Sequence, residues 1–290
     1  MSLNGPIIPP LSSSVSPTRL RQIALVAEDL EKAKQLLTYI LETEVVFIDP
    51  EVEQWGLKNF LVAIGGDIIE VVSPFKPETS AGRLLSRRGD GGYMIIMQTG
   101  DAVARRSFIE SQKLAKVIFS REYEESVCIQ YHPKGIKGGV IPELDSHDKS
   151  ASNPEPLMSR FSPWHACGSD YNAYSTVMKR CSHLRFVEAV CRLDPGEADT
   201  EAAAKQWERT FGTPRREDGL VFTNGAVKFI PGEEGKPEGI ASITIAVEGE
   251  SKFNAILNRA RDQGLCGDGW INMLGVKWYF VCVDGPNSRL

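Results

Sequence analysis

Residues 19–44 read RLRQIALVAEDLEKAKQLLTYILETE, and a change of hydrophobic period inside this stretch decides the fold. Residues 20–27 carry the apolar run of a strand. Asp29 then stands where a helix N-cap belongs, and Leu30, Ala33, Leu37, Ile40 and Leu41 fall on one helical face. Three strands follow, at 45–48, 57–64 and 67–73, the last two joined through Gly65-Gly66-Asp67, a strong hairpin signal. The segment is one βαβββ unit.

The same order recurs downstream. A strand at 91–101 leads into a helix over 102–116 that carries Val103, Phe108, Ile109 and Leu114. KVIFS, SVCIQYH and GGVIPEL supply three more strands, and the second unit ends near residue 145. Asp29 and Asp101 hold the same place in the two units, just after the opening strand. Repetition on this scale is the most informative property of the chain. Residues 146–182, rich in Ser and Pro, break the pattern and read as a linker or lid.

A second pair of units is expected over 183–290. HLRFVEAVCRL is a strand, 199–212 a helix ended by glycine, and LVFT and AVKFI bracket a turn at Asn224-Gly225. GIASITIAVEG opens a fourth unit, whose helix carries Phe253, Ile256, Leu257 and Ala260, and VKWYFVCV closes it. The expected fold is α+β, with four βαβββ units paired into two cupped mixed-sheet domains. The expected divisions are a disordered tail (1–18), a first domain (19–145), the linker or lid (146–182) and a second, degenerate domain (183–290).

Composition narrows the function. Hydrophobic residues make up 42% of the 290 and charged residues 24%, with a net charge of -5. That balance argues against nucleic acid or an anionic membrane as partner and leaves a small-molecule ligand, with a homodimer open. No apolar run approaches the roughly 18 residues needed to span a bilayer. The start, MSLNGPIIPPLSSSVSP, lacks a basic segment followed by an apolar one. The six scattered cysteines contain no C-x-x-C pair, which points to reduced thiols in the cytoplasm.

Paired βαβββ units with an acidic residue near the end of the fourth and eighth strands resemble the vicinal oxygen chelate superfamily, which includes glyoxalase I, methylmalonyl-CoA epimerase, extradiol dioxygenases and bleomycin-resistance proteins. Residues 54–74, QWGLKNFLVAIGGDIIEVVSP, resemble its glyoxalase-like branch. Residues 132–144, HPKGIKGGVIPEL, are similar to the closing motif of the epimerases. The resemblance covers 19–145 well and 183–283 by element order. It implies a cupped sheet holding a divalent metal through the first, fourth, fifth and eighth strands. Those positions fall on Gln22, Glu70, Met94 and Glu143. The implied ligands are therefore Gln22, Glu70 and Glu143, holding Mg, Mn, Fe or Zn, with Met94 a poorly matched thioether and Gln98 on the same strand face. Glu70 and Glu143 are the implied catalytic residues.

Two functions follow. One is lyase or isomerase chemistry on a small carbonyl or vicinal-oxygen metabolite, with Glu143 or Glu70 moving the proton. The other is a non-catalytic binder of the bleomycin-resistance type, which Met94 favours. In the second pair, Ser242 at the fifth-strand position and a closing strand without a carboxylate disfavour a metal and the extradiol reaction. Trp55 and Asn59 are candidates for the cup mouth, although a Trp near a turn is more often packing than substrate contact. Arg87 and Arg88 read as a solvated connector, His132 as structural, and His165 with Cys167 as linker anchoring. Alternation alone also explains Gln22 and Glu70 as polar residues on a wet sheet face.

Overall fold

The computed structural model describes residues 17–216 and 219–284. The expected tail lies outside these residues up to 16. Thr18 is already buried, and its carbonyl accepts from the Thr223 amide.

The first half contains β1 (Arg19–Val26), α1 (Leu30–Leu41), β2 (Val45–Phe47), β3 (Leu57–Ile64), β4 (Asp67–Pro74), α2 (Ser80–Arg88), β5 (Gly91–Thr99), α3 (Ala102–Ser111), β6 (Val117–Glu122), β7 (Ser126–Tyr131) and β8 (Ile141–His147). Its eight strands form one sheet in the order β2-β3-β4-β1-β5-β8-β7-β6. β1 runs parallel to β4, β5 runs parallel to β8, and the antiparallel β1–β5 pair joins the two units at the centre. Asp29 and Asp101 do cap their helices, accepting from the amides of Lys32 and Ala104.

A segment with its own helix, α4 (Tyr171–Arg180), connects the halves. The second half has β9 (Leu184–Arg192), α5 (Thr200–Phe211), β10 (Arg215–Arg216), β11 (Gly219–Phe222), β12 (Gly225–Ile230), β13 (Gly239–Glu248), α6 (Glu250–Asp262), β14 (Ile271–Met273) and β15 (Val276–Val283). Its seven strands follow the same plan, β10-β11-β12-β9-β13-β15-β14. The fourth unit departs from the expected βαβββ order. After α6 the chain makes a single bridge, Cys266 to Ile271, where a first short strand belongs, so two strands remain.

The two sheets share one apolar core. Leu20, Ile23, Leu25, Ile69, Val71, Ile95 and Leu144 of the first sheet join Phe186, Ala189, Val227, Ile243, Ile245 and Trp278 of the second, with α1, α3, α5 and α6 packed around them. The opposite face of the first sheet buries a separate cluster, in which Ala24, Ile68, Met94 and Ile96 meet Trp164, Cys167, Tyr174 and Met178 of the connecting segment. The segment expected to be a linker or lid therefore packs into the first cup. The Gly65-Gly66 hairpin helps it dock, since a Cβ at Gly66 would stand 1.7 Å from the Arg160 carbonyl oxygen. The expected flexible connector at 86–92 is instead the end of α2 and the start of β5.

The six cysteines are unpaired, four buried and two exposed. No described helix is long and apolar enough to cross a membrane.

Candidate active site

Strand parity carries Glu70 and Glu143 to the cup. Ile69 and Val71 face the shared core, which turns Glu70 the other way, and Leu144 does the same for Glu143. At β1 the register shifts between Leu20 and Gln22, so Leu20 and Ile23 both reach the core while Arg21 and Gln22 face the connecting segment. Gln22, Glu70, Met94 and Glu143 all line one cavity of about 1110 Å³. That exceeds the roughly 300–1,000 Å³ of ordinary ligand pockets. Phe47, Val52, Leu57 and Ile96 add apolar wall, and Trp55 meets Phe119 edge-on at 5.3 Å. Arg121 bonds Glu51, tying the two rims together.

Hydrogen bonding decides what Gln22 does. Trp164 Nε1, which can only donate, gives its proton to Gln22 Oε1 at 2.9 Å. The amide nitrogen of Gln22 must then face Glu70, and it donates to Oε2 at 2.9 Å. Asn59 is oriented in the same way. Its oxygen accepts from the Asp49 amide, and its nitrogen donates to Glu70 Oε1 at 2.6 Å. Gln22 thus offers no free oxygen to an ion, and both Glu70 oxygens are engaged. These residues do not fit a metal as the resemblance implies. Gln22 and Asn59 instead hold the Glu70 carboxyl in place. Gln98 is turned elsewhere, donating to the Pro156 carbonyl.

Glu143 stands outside that network, beside Gln130 on β7. On the same face of β8 lies Asp145, and the connecting segment brings His165 against it, with Nε2 2.8 Å from Asp145 Oδ2. His147, the next residue on that face, is stacked with Trp164 at 5.3 Å and with His165 at 5.5 Å. Neither Asp145 nor its pairing with His165 is among the positions the resemblance implies, and His165 is no mere linker anchor. The signal was the alternation Glu143, Asp145, His147, three titratable residues on one face of a strand.

Burial drives every one of these groups toward its neutral form. It raises the Glu70 carboxyl above its ordinary range, against the opposing hydrogen bonds of Asn59 and Gln22. It raises Glu143 and Asp145 well above theirs, Glu143 further because Asp145 is close. It lowers His165 to about 4 and His147 to about 3. A carboxyl with a raised pKa binds its proton more tightly folded than unfolded, so its ionisation costs stability as pH rises from the unfolded value near 4.5. The stability of Glu70→Gln relative to the wild-type chain should therefore increase as pH rises from 5 to 8, by about 1.4 kcal/mol for each unit by which the native value is raised. Urea unfolding of both proteins across that range checks it. A flat difference would mean Glu70 titrates normally.

Other candidates have structural roles. His132 Nδ1 accepts from the Lys134 amide in a turn. Arg88 reaches the Gly139 carbonyl. In the second cup Lys228 pairs with Glu188 at 2.7 Å.

No family model matches the chain, and no curated protein matches it. Solved structures do. The chain is similar to a variant of methylmalonyl-CoA epimerase of Streptomyces coelicolor in complex with 2-nitronate-propionyl-CoA, at 22% identity over 46% of this chain and 100% of that one, with a TM-score of 0.41. It is likewise similar to the Mycobacterium tuberculosis epimerase, at 22% identity over 48% of this chain and 93% of that one, TM-score 0.40. A hypothetical protein from Staphylococcus aureus matches nearly end to end, at 12% identity over 92% of this chain and 100% of that one, TM-score 0.58. The last likeness is one of fold alone. The chain is an α+β fold of two cupped mixed sheets built from repeated units, and the Staphylococcus aureus protein shares that fold.

Proposed function

We propose that the first cup is the active site of an isomerase or lyase of the vicinal oxygen chelate superfamily, acting on a carbonyl or vicinal-oxygen metabolite. The observation that supports this reading most is the pair of carboxyls, half-buried Glu70 and buried Glu143, that open on one cavity with raised pKa values. A carboxyl tuned upward toward neutrality can both take and return a proton at the working pH, which is what proton transfer next to a carbonyl requires. Glu70, held on both oxygens by Asn59 and Gln22, is kept at a defined position. Glu143 is the freer of the two; either carboxyl can move the proton when Glu143 is unligated, and the role falls to Glu70 when Glu143 is committed to an ion. The packed connecting segment closes one side of the site, and apolar side chains form much of its wall.

Exchange of substrate hydrogens with deuterated water, followed by proton NMR across carbonyl compounds bearing acidic α-hydrogens, tests the reading. A responsive compound should exchange in the wild-type chain and slow by about 10²–10⁴ in Glu143→Gln, with a comparable loss in Glu70→Gln. Equal rates in the variants would sink the assignment.

A non-catalytic binder is the second reading. It is favoured by Met94 at the fifth-strand position and by the network that closes Gln22 against an ion. Under it, compounds would bind the cup with no exchange in any protein.

A further inference from the structure

We infer that the first cup carries a divalent metal centre built by Glu143, Asp145 and His165, a set that uses neither Gln22 nor Glu70 and is completed by the segment connecting the two domains. One donor atom from each of the three residues lies within 4.8 Å of the other two. Asp145 Oδ2 and His165 Nε2 are 2.8 Å apart. Neighbouring ligands around an ion with bonds of about 2.1 Å stand about 3 Å apart, so this pair needs almost no adjustment.

A second observation points to a ligand. Asp145 is fully buried, and its Oδ1, on the carboxyl whose Oδ2 meets His165, has no hydrogen-bond partner of good geometry, although the Glu143 side chain and the Ile129 amide both stand close enough to favour its charged form. A buried carboxylate oxygen left without a partner is costly, and a bound cation would remove that cost. The imidazole is held in place to serve. His165 packs against Trp164 at 4.9 Å and His147 at 5.5 Å, and its backbone amide donates to His147 Nε2 at 3.4 Å. Glu143 and His165 both line the cavity, so open coordination positions would face a bound ligand. Two carboxylates and one imidazole suit Zn, Mn, Fe(II) or Co(II) better than Mg or Ca. The inference rests on reading this cup as the active site. Its test counts ions, not turnover, so the two fail separately.

The experiment is equilibrium dialysis of the full chain, stripped with chelator, against Co(II) and Zn(II), with visible absorption of the Co(II) form. The wild-type chain should hold one ion and show ligand-field bands. His165→Gln and Asp145→Asn should each weaken binding by about 10–100-fold, while Glu70→Gln should stay within about twofold of wild type. Circular dichroism confirms that each variant is folded. If Asp145→Asn does not fold, His165→Gln, altered in the connecting segment, decides alone. Loss of binding in Glu70→Gln with retention in His165→Gln would overturn the assignment in favour of the ligand positions the fold resemblance implies. No ion in the wild-type chain at millimolar Co(II) or Zn(II) would overturn it in favour of a proton shared between Asp145 and His165.

Discussion

Replacing Asp67 with alanine is expected to cost about 3–5 kcal/mol of folding stability, the range seen when one partner of a buried ion pair is removed. Asp67 Oδ1 accepts from Arg19 Nε at 2.8 Å and lies 4.0 Å from Arg21 Nη1. Both guanidinium side chains are almost wholly buried, at 3% and 0% exposure. Burial has already lowered Arg21 to about 9, with Arg19 adding to the shift and Asp67 opposing it. Without Asp67 the two cations would sit together in the interior with no countercharge. The same carboxylate accepts from Asn224 Nδ2 at 3.0 Å, so an anchor between the two halves would go too. Urea unfolding and a Tm lower by roughly 10 °C are the readouts. Asp67→Asn, which keeps acceptor oxygen, should lose less. A cost below 1 kcal/mol for Asp67→Ala would mean that the carbonyls of Ser159, Arg160 and Ser162, which also accept from these arginines, are sufficient.

Trp164→Ala should cost a similar amount, about 3–5 kcal/mol, for a different reason. Its ring is fully buried in the first cup, under the Arg21 guanidinium at 5.1 Å. Truncation leaves a cavity between the sheet and the connecting segment. It also strips Gln22 Oε1 of its donor, which loosens the hold on Glu70. Trp164→Phe separates the two effects, because it keeps most of the apolar area and drops the N–H. It should cost about 1 kcal/mol from the lost hydrogen bond, plus a smaller packing loss. Thermal unfolding measures both, and limited proteolysis within 150–170 reads whether the segment has come away. As a control, Trp55→Ala, at 42% exposure, should change stability far less. Equal losses at the two tryptophans would argue against Trp164 as the anchor of the segment.

Much of the fold was legible because it is local. The change of period after Val26, the aspartates before α1 and α3, and the hairpin at Gly65-Gly66 each depend on residues a few positions apart, and the structure uses all of them. Parity along a strand is equally local, and the side facing the cup could be read for Glu70 and Glu143 from their apolar neighbours. The partners of those side chains could not. Trp164 meets Gln22 across 142 positions and His165 meets Asp145 across 20, both through a segment with no period of its own. The sequence by itself determined which face of the sheet Glu70 and Glu143 occupy, since that follows from alternation with their apolar neighbours, whereas the bulge that turns Arg21 and Gln22 to the same side is not written in any alternation. Only the tertiary structure decided that Gln22 positions Glu70 and that Asp145 gains a histidine, because a donor's choice of acceptor is set by how the connecting segment packs into the cup.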